Sequence, residues 1–217
     1  MSIELIVFDW DGTLMDSEEK IVGCFLRAFT ELDLPEPSPE EARATIGLSL
    51  SEAMHVLSPN CGAALHKALV ERYRHGFTTA GQDFAKLFPA AVEVLCELEA
   101  RGLWMAVATG KSSAGLKRDL DATGLARFFH STRCADQASS KPHPQMLSEI
   151  MADLNVSDSN TVMVGDTGFD MEMAQNAGTH AVAVTYGAHS LERLLEFSPY
   201  ATLDTLSELP ELLATFD

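Results

Sequence analysis

Positive charge is scarce in this chain. Fifteen Lys and Arg stand against 32 Asp and Glu, a formal net charge of −17 with a pI near 4.6. A surface of that sign repels phosphate backbones and anionic lipid, which argues against nucleic acid and membrane surfaces as partners. A small charged substrate is still admissible, because one site can hold local positive charge against the global field. Cysteine is also sparse. Cys24, Cys61, Cys96 and Cys134 lie far apart, with no Cys-x-x-Cys pair and no His-Glu-x-x-His, so neither a disulfide scaffold nor a zinc site is expected. No apolar stretch approaches the roughly 20 residues that span a bilayer, and the Met1-Ser2-Ile3-Glu4 start lacks a basic leader, so a cytoplasmic location is expected. Repeats and low-complexity tracts are missing too. What is present, 217 residues with 46% hydrophobic and 22% charged, is enough to bury a core: one domain carrying a modest insertion.

Four short apolar runs, Leu5–Phe8, Trp104–Ala108, Thr161–Val164 and Ala181–Thr185, show no polar alternation. That is the pattern of strands covered on both faces. Helical stretches separate the later three, preceded by another: Pro89–Arg101 before Gly102, Ala114–Ala122 before Gly124, Pro144–Leu154, and Asp170–Ala177 before Gly178. The glycines stand where a helix C-cap is wanted. Strand–helix alternation predicts βαβ units, hence an α/β core with a parallel sheet and helices on both faces. The region after the first strand differs. Glu18–Leu32, Pro39–Thr45, Ser51–Leu57 and Ala63–Thr78 all read as helix, which predicts a small all-helical cap at residues 17–82 inserted into a core of residues 1–16 and 83–217.

Ligands of open α/β sheets bind outside the carboxyl ends of the strands. After the first run stands Asp9-Trp10-Asp11-Gly12-Thr13, and after the second Thr109-Gly110-Lys111-Ser112. The third is followed by Gly165-Asp166-Thr167-Gly168-Phe169-Asp170, and Ser139-Ser140-Lys141-Pro142 precedes the helix leading to it. Converging carboxylates repel each other unless a cation sits among them. An all-oxygen set suits Mg²⁺. Lys141 adds fixed positive charge, and Thr109 with nearby backbone N–H groups can donate to phosphoryl oxygens. The combination predicts phosphoryl transfer on a small phosphorylated metabolite. Gly110-Lys111-Ser112 is not a P-loop, because Met105 stands where its first glycine is needed.

Asp9-Trp10-Asp11-Gly12-Thr13-Leu14, Thr109-Gly110, Lys141-Pro142 and Gly165-Asp166-Thr167-Gly168-Phe169-Asp170 resemble, in order and spacing, the four motifs of the haloacid dehalogenase-like hydrolase superfamily. The helical insertion resembles the cap of its phosphoglycolate phosphatase and β-phosphoglucomutase branch. The resemblance covers the whole chain and implies a Rossmann-like core and a Mg²⁺-dependent phosphomonoester hydrolase. By it, Asp9 is the nucleophile and Asp11 the general acid/base. Asp9, the main-chain carbonyl of Asp11, Asp166 and Asp170 (directly or through water) hold the metal, while Thr109, Gly110 and Lys141 bind the phosphoryl group. Mutases of the branch carry a histidine early in the first cap helix and an arginine after the cap's Gly-x-Ser; Ile21 and Leu50 stand there here. A sugar phosphomutase is therefore the weaker reading, and a phospho-receiver module, normally much shorter and capless, weaker again.

Further expectations concern single residues. Arg43 is carried as a substrate-binding candidate if its helix faces the cleft. Asp16-Ser17-Glu18-Glu19 reads as an N-cap with a capping box. Thr13 is expected to help orient Asp11 toward water. Asp170 could also be a first-turn acid of its helix, and His143 is read as a solvated loop residue rather than a base.

Overall fold

Leu5–Phe8 is apolar at every position and fully enclosed, which only a central strand with both faces covered allows. The computed structural model describes residues 2–79 and 86–216. In chain order the elements are β1 (Leu5–Phe8), β2 (Met15–Asp16), α1 (Glu18–Thr30), α2 (Pro39–Arg43), α3 (Leu50–Leu57), α4 (Ala63–Thr79), β3 (Lys86–Leu87), α5 (Ala91–Ala100), β4 (Trp104–Thr109), α6 (Ser113–Thr123), β5 (Ser131–Cys134), α7 (Gln145–Leu154), β6 (Thr161–Gly165), α8 (Gly168–Ala177), β7 (His180–Val184), α9 (Leu191–Leu195), β8 (Ala201–Leu203) and α10 (Leu209–Leu213). The main sheet is parallel throughout with the order β5-β4-β1-β6-β7-β8.

The two-residue period of a strand divides β1 between two cores. Ile6 and Phe8 pack with Val94, Leu95 and Leu98 of α5, Leu116 of α6 and Leu209 of α10. Leu5 and Val7 pack on the opposite face with Met146, Leu147 and Ile150 of α7, Met171 and Ala174 of α8 and Leu194 of α9. Helices therefore cover both faces, as expected. Gly102, Gly124 and Gly178 each take a positive φ just past α5, α6 and α8, so the predicted glycine stops end these helices. The α5 helix begins at Ala91 rather than Pro89 because Ala90, at φ +63°, turns the chain first.

Two strands of the sheet escaped the sequence pattern. β5 and β8 are the edge strands, and the Ser131-Thr132-Arg133-Cys134 stretch is only partly buried, so it carries no apolar run. The helices α1–α4 enclose an apolar cluster of their own that includes Ile21, Phe25, Phe29, Met54 and Leu69. The chain leaves the core through β2 and returns through β3, which pair antiparallel, Met15 opposite Leu87 and Asp16 opposite Lys86. The expected C-terminal limit of the insertion, residue 82, falls within residues 80–85 and lies outside the described residues.

Candidate active site

The chain continues the β1 ladder for one step, with Asp9 N–H donating to the Val164 carbonyl at 2.9 Å. It then turns back on itself: Leu14 and Met15 N–H both donate to the Trp10 carbonyl. Gly12 makes this turn possible. Its φ is +86°, and a Cβ there would overlap the Asp166 carboxylate, so only glycine fits. The β6 strand ends at Gly165 and delivers Asp166 beside Asp9. A capping box then starts α8, in which Thr167 accepts from Asp170 N–H and the Asp170 carboxylate accepts from Thr167 N–H.

Three carboxylates thus converge. One oxygen each from Asp9, Asp166 and Asp170 lie within 4.8 Å of one another, all three residues buried. Lys141, equally buried, sets its Nζ 2.8 Å from Asp9 Oδ1 and 2.6 Å from Asp170 Oδ1. Asp170 is the first-turn acid considered for it, one oxygen closing the capping box, and its other oxygen meets Lys141. One ammonium does not balance three acids. Burial pushes the Asp9 carboxyl up to about 7, with Lys141 opposing and Asp170 adding to the rise. Burial also holds Asp166 well above the carboxylate range, reinforced by Asp9 and Asp170. For Lys141 burial opposes the charge, but Asp170 and Asp9 outweigh it and keep the ammonium above the ordinary lysine range.

The partners of each acid differ in a telling way. Asp166 is anchored, accepting from Thr13 Oγ1 at 2.9 Å and from Ala188 N–H at 2.8 Å. Asp9 is held less firmly: its close partner is the Lys141 ammonium, 2.8 Å from Oδ1, with no anchoring of both oxygens like that of Asp166. A buried carboxylate so loosely held is costly in a folded protein. A hard divalent cation fits such an all-oxygen set, and Asp9, Asp166 and Asp170 are the residues that would hold it.

Thr109 is buried at the end of β4, and its Oγ1 accepts from Lys111 N–H at 3.2 Å. Gly110 lies against the chain of the helical unit: a Cβ there would overlap the Leu48 carbonyl. A cleft of about 600 Å³ opens at this point, with Asp9, Asp11, Thr109, Gly110 and Lys111 on the sheet side and residues of α1, α3 and α4 opposite. Ile21, Phe25, Tyr73 and Phe77 give that opposite wall an apolar, largely aromatic patch, and Arg74 and Arg118 also line the cleft.

Three expectations are corrected. Thr13 does not reach Asp11; its hydroxyl donates to Asp166. The hydroxyl on Asp11 is that of Ser17, whose Oγ donates to Asp11 Oδ1 at 2.6 Å. For the same reason Ser17, although at the N-cap position of α1, makes no side-chain capping bond, and the expected capping box is absent. Arg43 turns from the cleft and pairs with Glu18 at the start of α1, so it is not a lining residue. His143 is exposed, as expected.

Lys111, considered from the sequence only as part of a P-loop, is a residue of the site that the motifs did not include. Its Nζ lies 3.0 Å from Asp11 Oδ2 and 3.2 Å from Asp119 Oδ2. Burial works against its charge, but Asp11 and Asp119 more than offset that and raise it above the ordinary lysine range. The available signal was its position two residues past a strand-end threonine.

His189 joins the two units. Its Nδ1 accepts from Gly168 N–H at 3.0 Å while Nε2 faces the Ala44 carbonyl at 3.3 Å, which requires the neutral Nε2–H form. Burial, helped by Arg193, lowers it to about 4 from the ordinary 6.5. The unfolded chain takes up a proton as the pH falls below 6.5 and the folded one does not until about 4, so stability is lost across that window, by up to about 3 kcal/mol. The melting temperature of the wild type should therefore fall more steeply with acidification than that of His189→Gln. Parallel curves would remove His189 from the account.

Comparison with known proteins places these features. Residues 6–184 match the model of the haloacid dehalogenase-like hydrolase family. The chain is 38% identical over 209 residues to a Dickeya dadantii protein named "Probable phosphatase IndB", covering 94% of this chain and 91% of that one. It is 32% identical over 221 residues to the phosphoglycolate phosphatase of Vibrio parahaemolyticus, covering 98% and 96%. A solved structure of a haloacid dehalogenase-like family hydrolase from Streptococcus pneumoniae superimposes with a TM-score of 0.83 at 25% identity, covering 99% of each chain.

Proposed function

We propose that this chain, an enzyme that belongs to the haloacid dehalogenase-like hydrolase family, is a Mg²⁺-dependent phosphatase that hydrolyses a small phosphomonoester through an aspartyl-phosphate on Asp9. The observation that carries this reading is the buried Asp9 carboxylate, converging with Asp166 and Asp170 beside the Lys141 ammonium. A carboxylate so placed has lone pairs available for a metal and for phosphorus.

Asp9, Asp166, Asp170 and the main-chain carbonyl of Asp11 would hold Mg²⁺, which would supply charge neutralisation to the phosphoryl oxygens. The other steps belong to the chain. Lys141 and Thr109 bind and orient the phosphoryl group, with backbone N–H groups at Gly110 adding donors. Asp9 attacks phosphorus and the ester P–O bond breaks, while Asp11 gives the leaving oxygen its proton. Water then attacks the Asp9-bound phosphoryl group, passing a proton to Asp11 and releasing inorganic phosphate. Residues 17–82 act as a cap that excludes bulk water and holds the leaving group. A cytoplasmic setting fits the four cysteines, all free thiols.

One observation favours hydrolysis over sugar phosphate isomerisation. Ile21 and Leu50 both line the cleft, so the positions at which resembling mutases carry a histidine and an arginine are apolar. Phosphate release from p-nitrophenyl phosphate and a panel of natural esters should require Mg²⁺ and stop with EDTA. Full turnover after exhaustive EDTA treatment would sink the metal, and isomerisation of β-glucose 1-phosphate outrunning phosphate release would sink the phosphatase.

A further inference from the structure

We propose that Lys111 is a positioning residue that, with Ser17, holds Asp11 in place as the base for the second half of the reaction, a role that rests on the phosphatase reading above. Each oxygen of Asp11 is tied by a different element. Oδ1 accepts from Ser17 at the start of α1, 2.6 Å away, and Oδ2 meets the Lys111 ammonium at 3.0 Å. Lys111 is itself fixed from behind. Asp119 Oδ2 lies 3.2 Å from the same Nζ and also accepts from Trp10 Nε1 at 3.1 Å, so the chain of contacts runs Trp10, Asp119, Lys111, Asp11 and returns to the residue next to Asp11. Trp10 is wholly buried, which gives this loop a rigid end.

The Lys111 side chain is 9% exposed. The face of Phe77, from α4 in the helical unit, lies 4.9 Å from its Nζ. The donors of this ammonium are committed to Asp11 and Asp119 under an aromatic face. The two lysines thus serve different carboxylates, Lys141 standing at Asp9 and Lys111 at Asp11. A carboxylate oxygen carries two lone pairs, so Asp11 can keep both ties and still receive a proton.

The step served is the breakdown of the phosphoenzyme. A water oxygen bonds to phosphorus, the bond from phosphorus to the Asp9 oxygen breaks, and the water proton passes to Asp11. The products are the free Asp9 carboxylate and inorganic phosphate. An Asp11 free to swing slows this step more than the first when the leaving group needs little help, as with p-nitrophenolate.

Lys111→Met should therefore lower kcat on p-nitrophenyl phosphate by about 10²-fold with KM unchanged or lower, and intact-mass spectrometry should find the phosphorylated protein accumulating during turnover. A burst of p-nitrophenol equal to the enzyme concentration should precede the slow phase. Lys111→Arg should recover part of the rate. Asp119→Asn, which loosens Lys111 without removing it, should give the same signature more weakly, and it keeps the test valid if Lys111→Met does not fold. A raised KM with near wild-type kcat would make Lys111 a substrate ligand, and loss of rate with no phosphoenzyme in either variant would make it merely structural; each overturns the proposal. Failure of the wild type to release phosphate from any ester would instead overturn the phosphatase reading, and the role of Lys111 with it.

Discussion

Asp9→Asn should abolish phosphate release and yet make the metal-free protein more stable. The activity half is direct. An amide neither attacks phosphorus nor balances a cation, and losing the nucleophile of a covalent mechanism costs at least about 10⁴-fold in kcat. The stability half follows from the geometry. Asp9 is 1% exposed, and burial pushes its carboxyl up to about 7 despite the Lys141 ammonium 2.8 Å away. The unfolded chain ionises near 3.8, so keeping the folded carboxylate charged costs more as the pH rises from there to 7. In metal-free protein above that window, Asp9→Asn should gain about 2–4 kcal/mol, and the gain should vanish near pH 4. Saturating Mg²⁺ should reverse the order, because the amide is a poorer partner for the cation. Melting curves of both proteins, with and without Mg²⁺, at several pH values read all of this. A less stable metal-free variant would mean that the ion pair with Lys141 outweighs the cost of burying the Asp9 charge.

The features legible in the sequence are those whose signal is local. The four apolar runs and the glycine stops of α5, α6 and α8 mark their elements without reference to anything distant. The strand-end acids were legible because a parallel sheet brings every carboxyl end to one side, so Asp9 and Asp166, 157 residues apart in the chain, had to meet once β1 and β6 were neighbours. What was not legible depends on orientation. Thr13 and Ser17 are both hydroxyls near Asp11 in sequence, and only the tight turn at Gly12 decides that Thr13 faces Asp166 and Ser17 faces Asp11. Arg43 depends on how α2 docks against α1, where Glu18 claims it. Lys111 has its meaning only through Asp11, a hundred residues away in the sequence. The edge strands β5 and β8 lacked apolar runs because an edge needs fewer buried residues.

Lys141→Met should be among the most damaging single substitutions in the molecule, in activity and in stability, and for one reason. Lys141 is fully enclosed and lies within 2.8 Å of Asp9 and 2.6 Å of Asp170, the only cation contacting this acid cluster among the described residues. Removing it leaves three buried carboxylates with no opposing charge. Breaking a buried pair in this way costs about 3–5 kcal/mol, more than the methionine stem recovers by packing. Transition-state stabilisation should fall by about 2–4 kcal/mol besides, the usual loss for one preorganised donor. The stability deficit has a pH signature that a packing defect lacks. It should be widest above pH 7, where the acids are charged, and shrink as the pH falls and Asp9 and Asp166, both raised by burial, take up protons. It also has a metal signature: a divalent cation and the ammonium neutralise the same oxygens, so Mg²⁺ should raise the melting temperature of Lys141→Met more than that of the wild type, while kcat stays low because the ammonium that would bind the phosphoryl oxygens is still missing. Equal responses to Mg²⁺ and to pH, or a near wild-type kcat, would show that Lys141 neither balances the acid cluster nor binds the phosphoryl group.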